Sequence, residues 1–524
     1  MRRFSLIILL NFLFVHSISA QKMNADAEII FGDLLLERAK DVRIVSAFNV
    51  EDGYIIFKKE PIKGPGGYHY FIEKFDKEMN TLRVHDVSRQ FEDEKYIIDQ
   101  IIKVGNSYVL FTTKHDKDRK KEELYAQILN WESAKLGKRQ IIYSQTYPKR
   151  RRSINYEIVT SPNEKYLMVT LHPFYEKGAL EKIHFKVFDS DMEEAWNLDD
   201  FEIKHEDRNY SVREVVLADN GNIHLLGKRY TPKDKKAGID ASSAYEVITI
   251  RKGDAEVQVI EPHDKIFESM SLTISETGTL YLVGYYWKEK GTGTDGIFLF
   301  TLDKSGMVED ELWDAFSKEF ITKNWSDRSK NKANRKEERG KDLGLTFLEF
   351  RSIVQHEDGS LSIVGEQYWE TTYTTVDSKG NVRTHTVYHY GDLIISRISD
   401  QGEVISHSRY EKHHTYYGAY TYFDLNDDLA ILTYKRQLDV MGLDPDDMSK
   451  KERKSLSGSV LSLIHITPEG EETLSGLMDY ADPKYEGYRK YKLRQDLYFM
   501  EDNEILLLTY YGKKKFGLGK IRFE

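Results

Sequence analysis

The sequence predicts an all-β fold assembled from repeated four-stranded sheets, and three observations predict it. Strand-like apolar runs follow tight Asp, Asn and Gly turns at intervals along all 524 residues. Tyrosine is abundant, 34 residues against 11 methionines, which favours strands over packed helices. The chain is 40% hydrophobic and 12% aromatic, enough to fill a large core and too apolar for a disordered protein.

The clearest turns are Glu51-Asp52-Gly53, Asp219-Asn220-Gly221, Glu276-Thr277-Gly278 and Glu357-Asp358-Gly359. Looser copies are Gly105-Asn106, Pro162-Asn163-Glu164, Asn426-Asp427-Asp428 and Asp502-Asn503. Asp-Gly and Asn-Gly tolerate the positive φ that two-residue hairpins require, so each is expected to be a hairpin tip. An apolar run follows every one, as in Tyr54-Ile55-Ile56-Phe57, Leu167-Met168-Val169, Leu280-Tyr281-Leu282-Val283 and Ile505-Leu506-Leu507-Leu508. Continuous rather than alternating apolar runs imply strands covered on both faces. A second hairpin follows in most units, with Asp303-Lys304-Ser305-Gly306, Ser399-Asp400-Gln401-Gly402 and Thr467-Pro468-Glu469-Gly470 as its turns.

The first-turn anchors at 53, 106, 163, 221, 278, 359, 427 and 503 define eight units of four strands. Such units resemble the blades of the β-propeller superfamily, whose sheets are arranged radially around a channel. The resemblance is one of architecture, since neither a WD dipeptide nor a kelch double-glycine signature recurs at fixed places. It implies a single β-propeller of eight four-stranded blades, with seven blades or a pair of smaller β domains as the competing arrangements. Only two strands follow Asp502-Asn503, so the last unit lacks its fourth strand. The run Ala27-Glu28-Ile29-Ile30-Phe31 is expected to supply it, closing the ring and removing the open edges that invite aggregation.

Arg2 and Arg3 precede an apolar run from Phe4 to Val15, and Ser17-Ile18-Ser19-Ala20 follows. This is the layout of a secretory signal peptide cleaved after Ala20, and the run is too short for a bilayer span. The expected organisation is therefore a signal peptide over 1–20 and a propeller over 21–524, with an insertion between blades at 313–344. The zero cysteine count excludes disulfides, thiolate metal sites and cysteine nucleophiles, and in an exported chain it points to a bacterial periplasm or cell exterior. A net charge of −10 argues against a nucleic-acid binder, and no segment is long and apolar enough to span a membrane.

In an up-and-down sheet alternate connections emerge on opposite faces. The short first and third turns are expected on one face, and the long connections, among them Glu60 to Gly67, Thr231 to Ser242, Glu370 to Tyr390, Arg436 to Ser457 and Trp313 to Gly344, on the other. The long-loop face is the functional candidate, because loops on rigid scaffolds carry binding and catalysis. It also gathers basic clusters, including Lys149-Arg150-Arg151-Arg152 and Lys450-Lys451-Glu452-Arg453-Lys454, suited to an anionic surface or simply solvated. Within the longest insertion, Trp313, Phe316 and Phe320 are spaced for a short amphipathic helix.

Counting back seven residues from each anchor gives Ser46, Asp99, Tyr156, Glu214, Ser271, Ser352, Tyr420 and Asp496, all capable of hydrogen bonding. Of these Asp99, Tyr156, Glu214, Tyr420 and Asp496 are the candidate binding groups at the channel mouth, the alternative being a structural hydrogen-bond ring. On the loop face, Trp369, Tyr373, His385, Tyr388, His389, His413, His414, Tyr416 and Tyr417 form a candidate aromatic and imidazole patch for sugars or peptides. His385 and His389 share a strand face yet sit farther apart than helical zinc ligands, so no metal and no cofactor is expected. No Walker loop, G-x-S-x-G or H-E-x-x-H is present. The expected function is non-enzymatic binding of a protein or glycan at the cell envelope, with a polysaccharide hydrolase or lyase using acids at the channel mouth as the alternative.

Overall fold

The computed structural model describes residues 27–35, 43–61, 68–88, 96–147, 154–173, 178–230, 244–252, 254–288, 293–323, 325–338, 343–376, 382–412, 414–415, 420–444, 447–456, 458–477, 500–501, 503–511 and 515–523. The leader at 1–20, the basic cluster at 149–152, and Asp496, His413, Tyr416 and Tyr417 lie outside them.

Eight antiparallel sheets, each a four-stranded path, follow one another along the chain. Blade 1 is Arg43–Val50, Gly53–Pro61, Tyr68–Phe75 and Thr81–Asp86, and blades 2 to 7 repeat that order from Tyr96 to Gly476. Blade 8 is Met500–Glu501, Glu504–Tyr511 and Lys515–Phe523, completed by Ala27–Leu35, which pairs antiparallel with Lys515–Phe523. The N-terminal strand thus supplies the missing fourth strand, and the chain is an eight-bladed β-propeller.

The core explains the continuous apolar runs. Successive side chains of a strand point to opposite faces, and here each face meets a neighbouring blade. In Gly53–Pro61, Ile55 and Phe57 pack toward blade 2 with Ile98 and Leu110, whereas Tyr54 and Ile56 pack toward blade 8 with Leu506 and Leu518. Six further clusters fill the remaining gaps, from blades 2 and 3 round to blades 7 and 8. Eight blades with eight apolar interfaces make a closed toroid. Each fully buried Ile or Phe contributes about 1.5–3 kcal/mol, so the ring holds together without covalent cross-links.

Turn chemistry matches the residues. Asn426 and Asp427, at the tip of blade 7, both have positive φ (53° and 65°), the pattern of a type I′ hairpin. The short turns of neighbouring blades touch, with Asn163 N donating to Asp219 Oδ1 at 3.0 Å and Asp358 N to Asp427 Oδ1 at 2.9 Å. These turns therefore share one rim, and the long connections share the other.

Two details differ from expectation. Trp313 is not helical: it lies in Val308–Ala315, the outer strand of blade 5, where its ring stacks on Phe267 at 5.8 Å. Tertiary packing outweighs the local periodicity there. Helix α1 is Lys318–Thr322 and helix α2 is Asp327–Glu337, so the insertion proper starts after Ala315. In blade 7, the long connection folds into α3 (Gln437–Val440) and α4 (Lys450–Ser455), the latter opened by a Ser449–Glu452 capping box. Among the described residues no helix is long and apolar enough to cross a membrane.

Candidate functional site

At the long-loop end of the inner strands, the predicted column is engaged between blades. Ser46 Oγ donates to the carbonyl of Ile101 at 3.0 Å, joining blades 1 and 2. Tyr156 Oη donates to Asp99 Oδ2 at 2.8 Å, joining blades 2 and 3. Ser271 Oγ donates to the Glu214 carboxylate at 2.9 Å, and Leu272 N donates to the same group, joining blades 4 and 5. Burial raises the pKa of both Asp99 and Glu214 despite these hydrogen bonds. Tyr420 is only 1% exposed, with the Lys412 ammonium 4.6 Å above its ring, inside the interface between blades 6 and 7 rather than at an open mouth.

Five inner strands carry a β-bulge at about this level, and the extra residues are Val45, Asp99, Arg213, Glu268 and Arg351. Bulges re-aim side chains, and four of these five are charged. Counting back a fixed number of residues misses Arg213, Glu268 and Arg351, because one inserted residue breaks the period of two. Glu268 accepts from Thr294 Oγ1 at 2.5 Å. Burial, reinforced by the nearby charge of Asp295, raises its pKa to about 7 against that hydrogen bond. Its side chain still reaches solvent, so it is a carboxyl able to exchange a proton near neutrality.

A cleft of about 890 Å³ opens on the same face between blades 6 and 7. Gln367, Trp369, Gly391, Asp392, Glu411 and Lys412 line it from blade 6, and Tyr434, Lys435, Arg436 and Asp439 from blade 7, so three carboxylates accompany three cations. Its base is a fixed charge network. Glu366 pairs with Lys412 and with Arg351 Nε at 2.8 Å, and Arg409 binds Asp392 at 2.7 Å and the carbonyl of Ile321 in α1 at 2.7 Å. The insertion between blades 5 and 6 is thereby pinned beside the cleft. Burial lowers the pKa of Lys412 in spite of Glu366.

One wall of the cleft is a hairpin, Leu361–Val376 with Val382–Ile398. Its inner neighbour reaches only to Gln367 and its outer neighbour only from Leu393, so the rest projects beyond the sheet. Trp369 pairs across it with His389, their rings parallel within 3° at 5.0 Å, and Thr371 Oγ1 bonds His389 Nε2 at 2.7 Å. Tyr373 is opposite His385 in register and 50% exposed, while Tyr388 stacks on Tyr368 at 6.5 Å. His414 pairs through its backbone with Tyr390. A Cβ at position 391 would lie 2.9 Å from Trp369 Cζ3, so Gly391 admits the indole. The structure thus brings Trp369, Tyr373, His385, Tyr388 and His389 onto one hairpin and sets the backbone of His414 beside it. The cleft groups Lys412, Lys435 and Arg436 had no sequence signal of their own.

On the opposite rim, Ser362, His356 and Asp424 are arranged like a nucleophilic triad: His356 Nε2 is 2.8 Å from Ser362 Oγ, and its Nδ1 contacts Asp424. Ser362 is 1% exposed and Arg397 Nη1 lies 3.4 Å from its hydroxyl, so the set is buried and serves to tie blade 6 to blade 7. Among the described residues no group of three or more His, Asp or Glu side chains is placed to hold a metal.

No known family profile and no curated protein matches the chain. Solved structures similar to it include the β-propeller domain of the Trilobed protease from Pyrococcus furiosus, at 12% identity over 85% of this chain and 98% of that one, with a TM-score of 0.37. Pyrococcus horikoshii acylaminoacyl peptidase matches at 10% identity over 90% of this chain, which spans 58% of the peptidase, with a TM-score of 0.38. The polysaccharide lyase Uly1 matches at 9% identity over 81% of this chain and 89% of that one, with a TM-score of 0.37.

Proposed function

We propose that this propeller is an exported binding protein that holds a glycan or protein ligand at the bacterial cell envelope through its long-loop face. The observation carrying the proposal is the cleft between blades 6 and 7, which sets an indole wall beside cationic side chains on rigid strands. Concave sites lined by aromatic groups and a few fixed polar groups are the usual form of ligand sites. The column at the channel mouth supports binding rather than catalysis, because Asp99 and Glu214 are engaged by neighbouring blades. The test is glycan-array and envelope pull-down binding by the mature protein, with loss expected on Trp369→Ala. Binding unchanged by that substitution and by shortening of residues 370–390 would remove the cleft from the proposal. Export is tested by cell fractionation and N-terminal sequencing, which should begin at Gln21.

A second reading, a polysaccharide hydrolase or lyase, is favoured by one observation, the solvent-reachable Glu268 with its pKa of about 7. It requires turnover that is abolished in Glu268→Gln.

A further inference from the structure

We infer that the cleft between blades 6 and 7 selects a sugar bearing a carboxylate, a uronate within a glycan, with its ring on the aromatic wall and its carboxylate on Lys435. This inference rests on the binding role proposed above and names the ligand class of that site.

The aromatic wall is longer than Trp369 alone. Phe347 follows the insertion between blades 5 and 6, and its ring centroid is 6.1 Å from that of Trp369. Its φ is +60°, in the left-handed region, and the residue is 62% exposed. A non-glycine residue held there costs on the order of 1–3 kcal/mol, and displaying an apolar ring to water returns none of it. The surroundings enforce the arrangement. Tyr368 N donates to the Phe347 carbonyl at 2.7 Å, Gln367 Nε2 donates to the Thr346 carbonyl at 2.9 Å, and Leu345 bridges to Thr294. Trp369, which lines the cleft, therefore sits in a row of rings with Phe347 and His389. His389 stacks on one face of the indole, and the exposed Phe347 ring adds the open aromatic surface that suits the apolar face of a pyranose.

The charge selection comes from comparing the three cations that line the cleft. Lys412 is paired with Glu366, and Arg436 is held in a fork by Asp439 at 2.6 and 2.8 Å. Lys435 has no carboxylate within 4 Å among the described residues. Its ammonium lies 4.5 Å from the Tyr410 ring and 3.4 Å from the Glu411 carbonyl. Asp439, Glu411 and Glu472 act on it from farther away, and burial nonetheless holds its pKa below the ordinary lysine value. A half-enclosed ammonium with no ion-pair partner among the described residues is an unfilled place for an anion. A ligand carboxylate at that place recovers the missing pair, whereas a neutral sugar leaves it open. The volume of about 890 Å³ has room for more than one sugar unit.

The experiment is calorimetric titration of the mature protein with uronate-containing oligosaccharides and with neutral oligosaccharides of matched length. Thermal melts confirm that each variant is folded. The expected result is binding of the acidic series, at least roughly tenfold weaker in Lys435→Met and restored in Lys435→Arg, with Phe347→Ala and Trp369→Ala weakening both charge-dependent and ring contacts. Equal affinity for acidic and neutral sugars, or binding indifferent to Lys435→Met, overturns the uronate assignment while leaving the binding role intact. Absence of all sugar binding also overturns it. If an envelope protein is then captured and lost on Trp369→Ala, the broader role survives with a different ligand.

Discussion

Two charge clusters of nearly the same composition do different work in this ring. At the closure, Glu504 accepts from Tyr54 Oη, from Lys520 Nζ at 2.7 Å and from Arg522 Nε at 2.7 Å. Lys520 also lies 5.0 Å above the Tyr54 ring. Between blades 6 and 7, Glu366 is held by Lys412 and by Arg351, and Lys412 lies 4.6 Å above the Tyr420 ring. Each cluster is a carboxylate, a lysine over a tyrosine and an arginine. The first sits beside the last short turn and joins blade 8 to blade 1, so it fastens the two ends of the chain. The second sits at the opposite end of its strand and presents Lys412 to the cleft, so it stiffens the floor of that cleft. The same pairing chemistry latches the fold in one place and preorganises a surface in the other. Position in the ring makes the difference.

Removal of Ala27–Leu35 should have the largest effect on that comparison. It takes Ile29 from the core between blades 7 and 8 and bares the edge of Lys515–Phe523. The expected outcome is loss of a cooperative melt and association through the open edge, read by circular dichroism and gel filtration. Glu366→Gln should destabilise by about 3–5 kcal/mol in denaturant titrations, because Lys412 is left charged and buried, and Glu366→Leu with Lys412→Met together should recover most of the loss. Full recovery of ligand binding in that double variant would sever the floor from the site.

Glu504→Gln should cost less, about 2–3 kcal/mol, since Lys520 keeps Tyr54 as an acceptor. Burial alone would raise the Glu504 pKa, but the hydrogen bonds from Lys520, Tyr54 and Arg522 outweigh it and hold the pKa below the ordinary value. The stabilisation is therefore present above the unfolded glutamate pKa of about 4.3 and is lost as pH falls through the lower folded value. Melting temperatures recorded from pH 6 down to pH 3 should fall less steeply in the variant than in the parent.

The smallest effect belongs to Glu268. Its folded pKa of about 7 lies above the unfolded value, so its contribution to stability is greatest at low pH and declines as pH rises toward neutrality. Glu268→Gln should flatten that limb of the melting curve, and carboxyl NMR titration should find a group titrating near 7. A midpoint at the ordinary glutamate value would mean that the bulge leaves Glu268 fully hydrated.

Much of the fold was legible because its determinants are local. Asn426-Asp427 announces a hairpin by its tolerance of positive φ, and Ile505 to Leu508 announces a strand with both faces covered. Counting such units led to eight blades, and the missing last strand pointed to Ala27–Phe31. Trp313 shows where local reading stops: its spacing suited a helix, but blade 5 offered it an aromatic cluster in an extended strand. The candidate hairpin with Trp369 and His389 was legible by composition. Phe347, Lys412 and Lys435 were not, since each lies in an unremarkable stretch and gains its meaning from residues tens of positions away.

The amino-acid order by itself determined the number of blades, the turn chemistry and the rim on which the long connections emerge, because each follows from φ preference, side-chain alternation and strand direction. Tertiary structure alone decided which charged groups face one another. Bulges shift the phase of the inner strands, ring closure brings Tyr54 to Glu504, and the packing of blade 6 against blade 7 leaves Lys435 enclosed beside an aromatic wall. Those outcomes depend on distances between strands far apart in the chain, and no run of neighbouring residues encodes them.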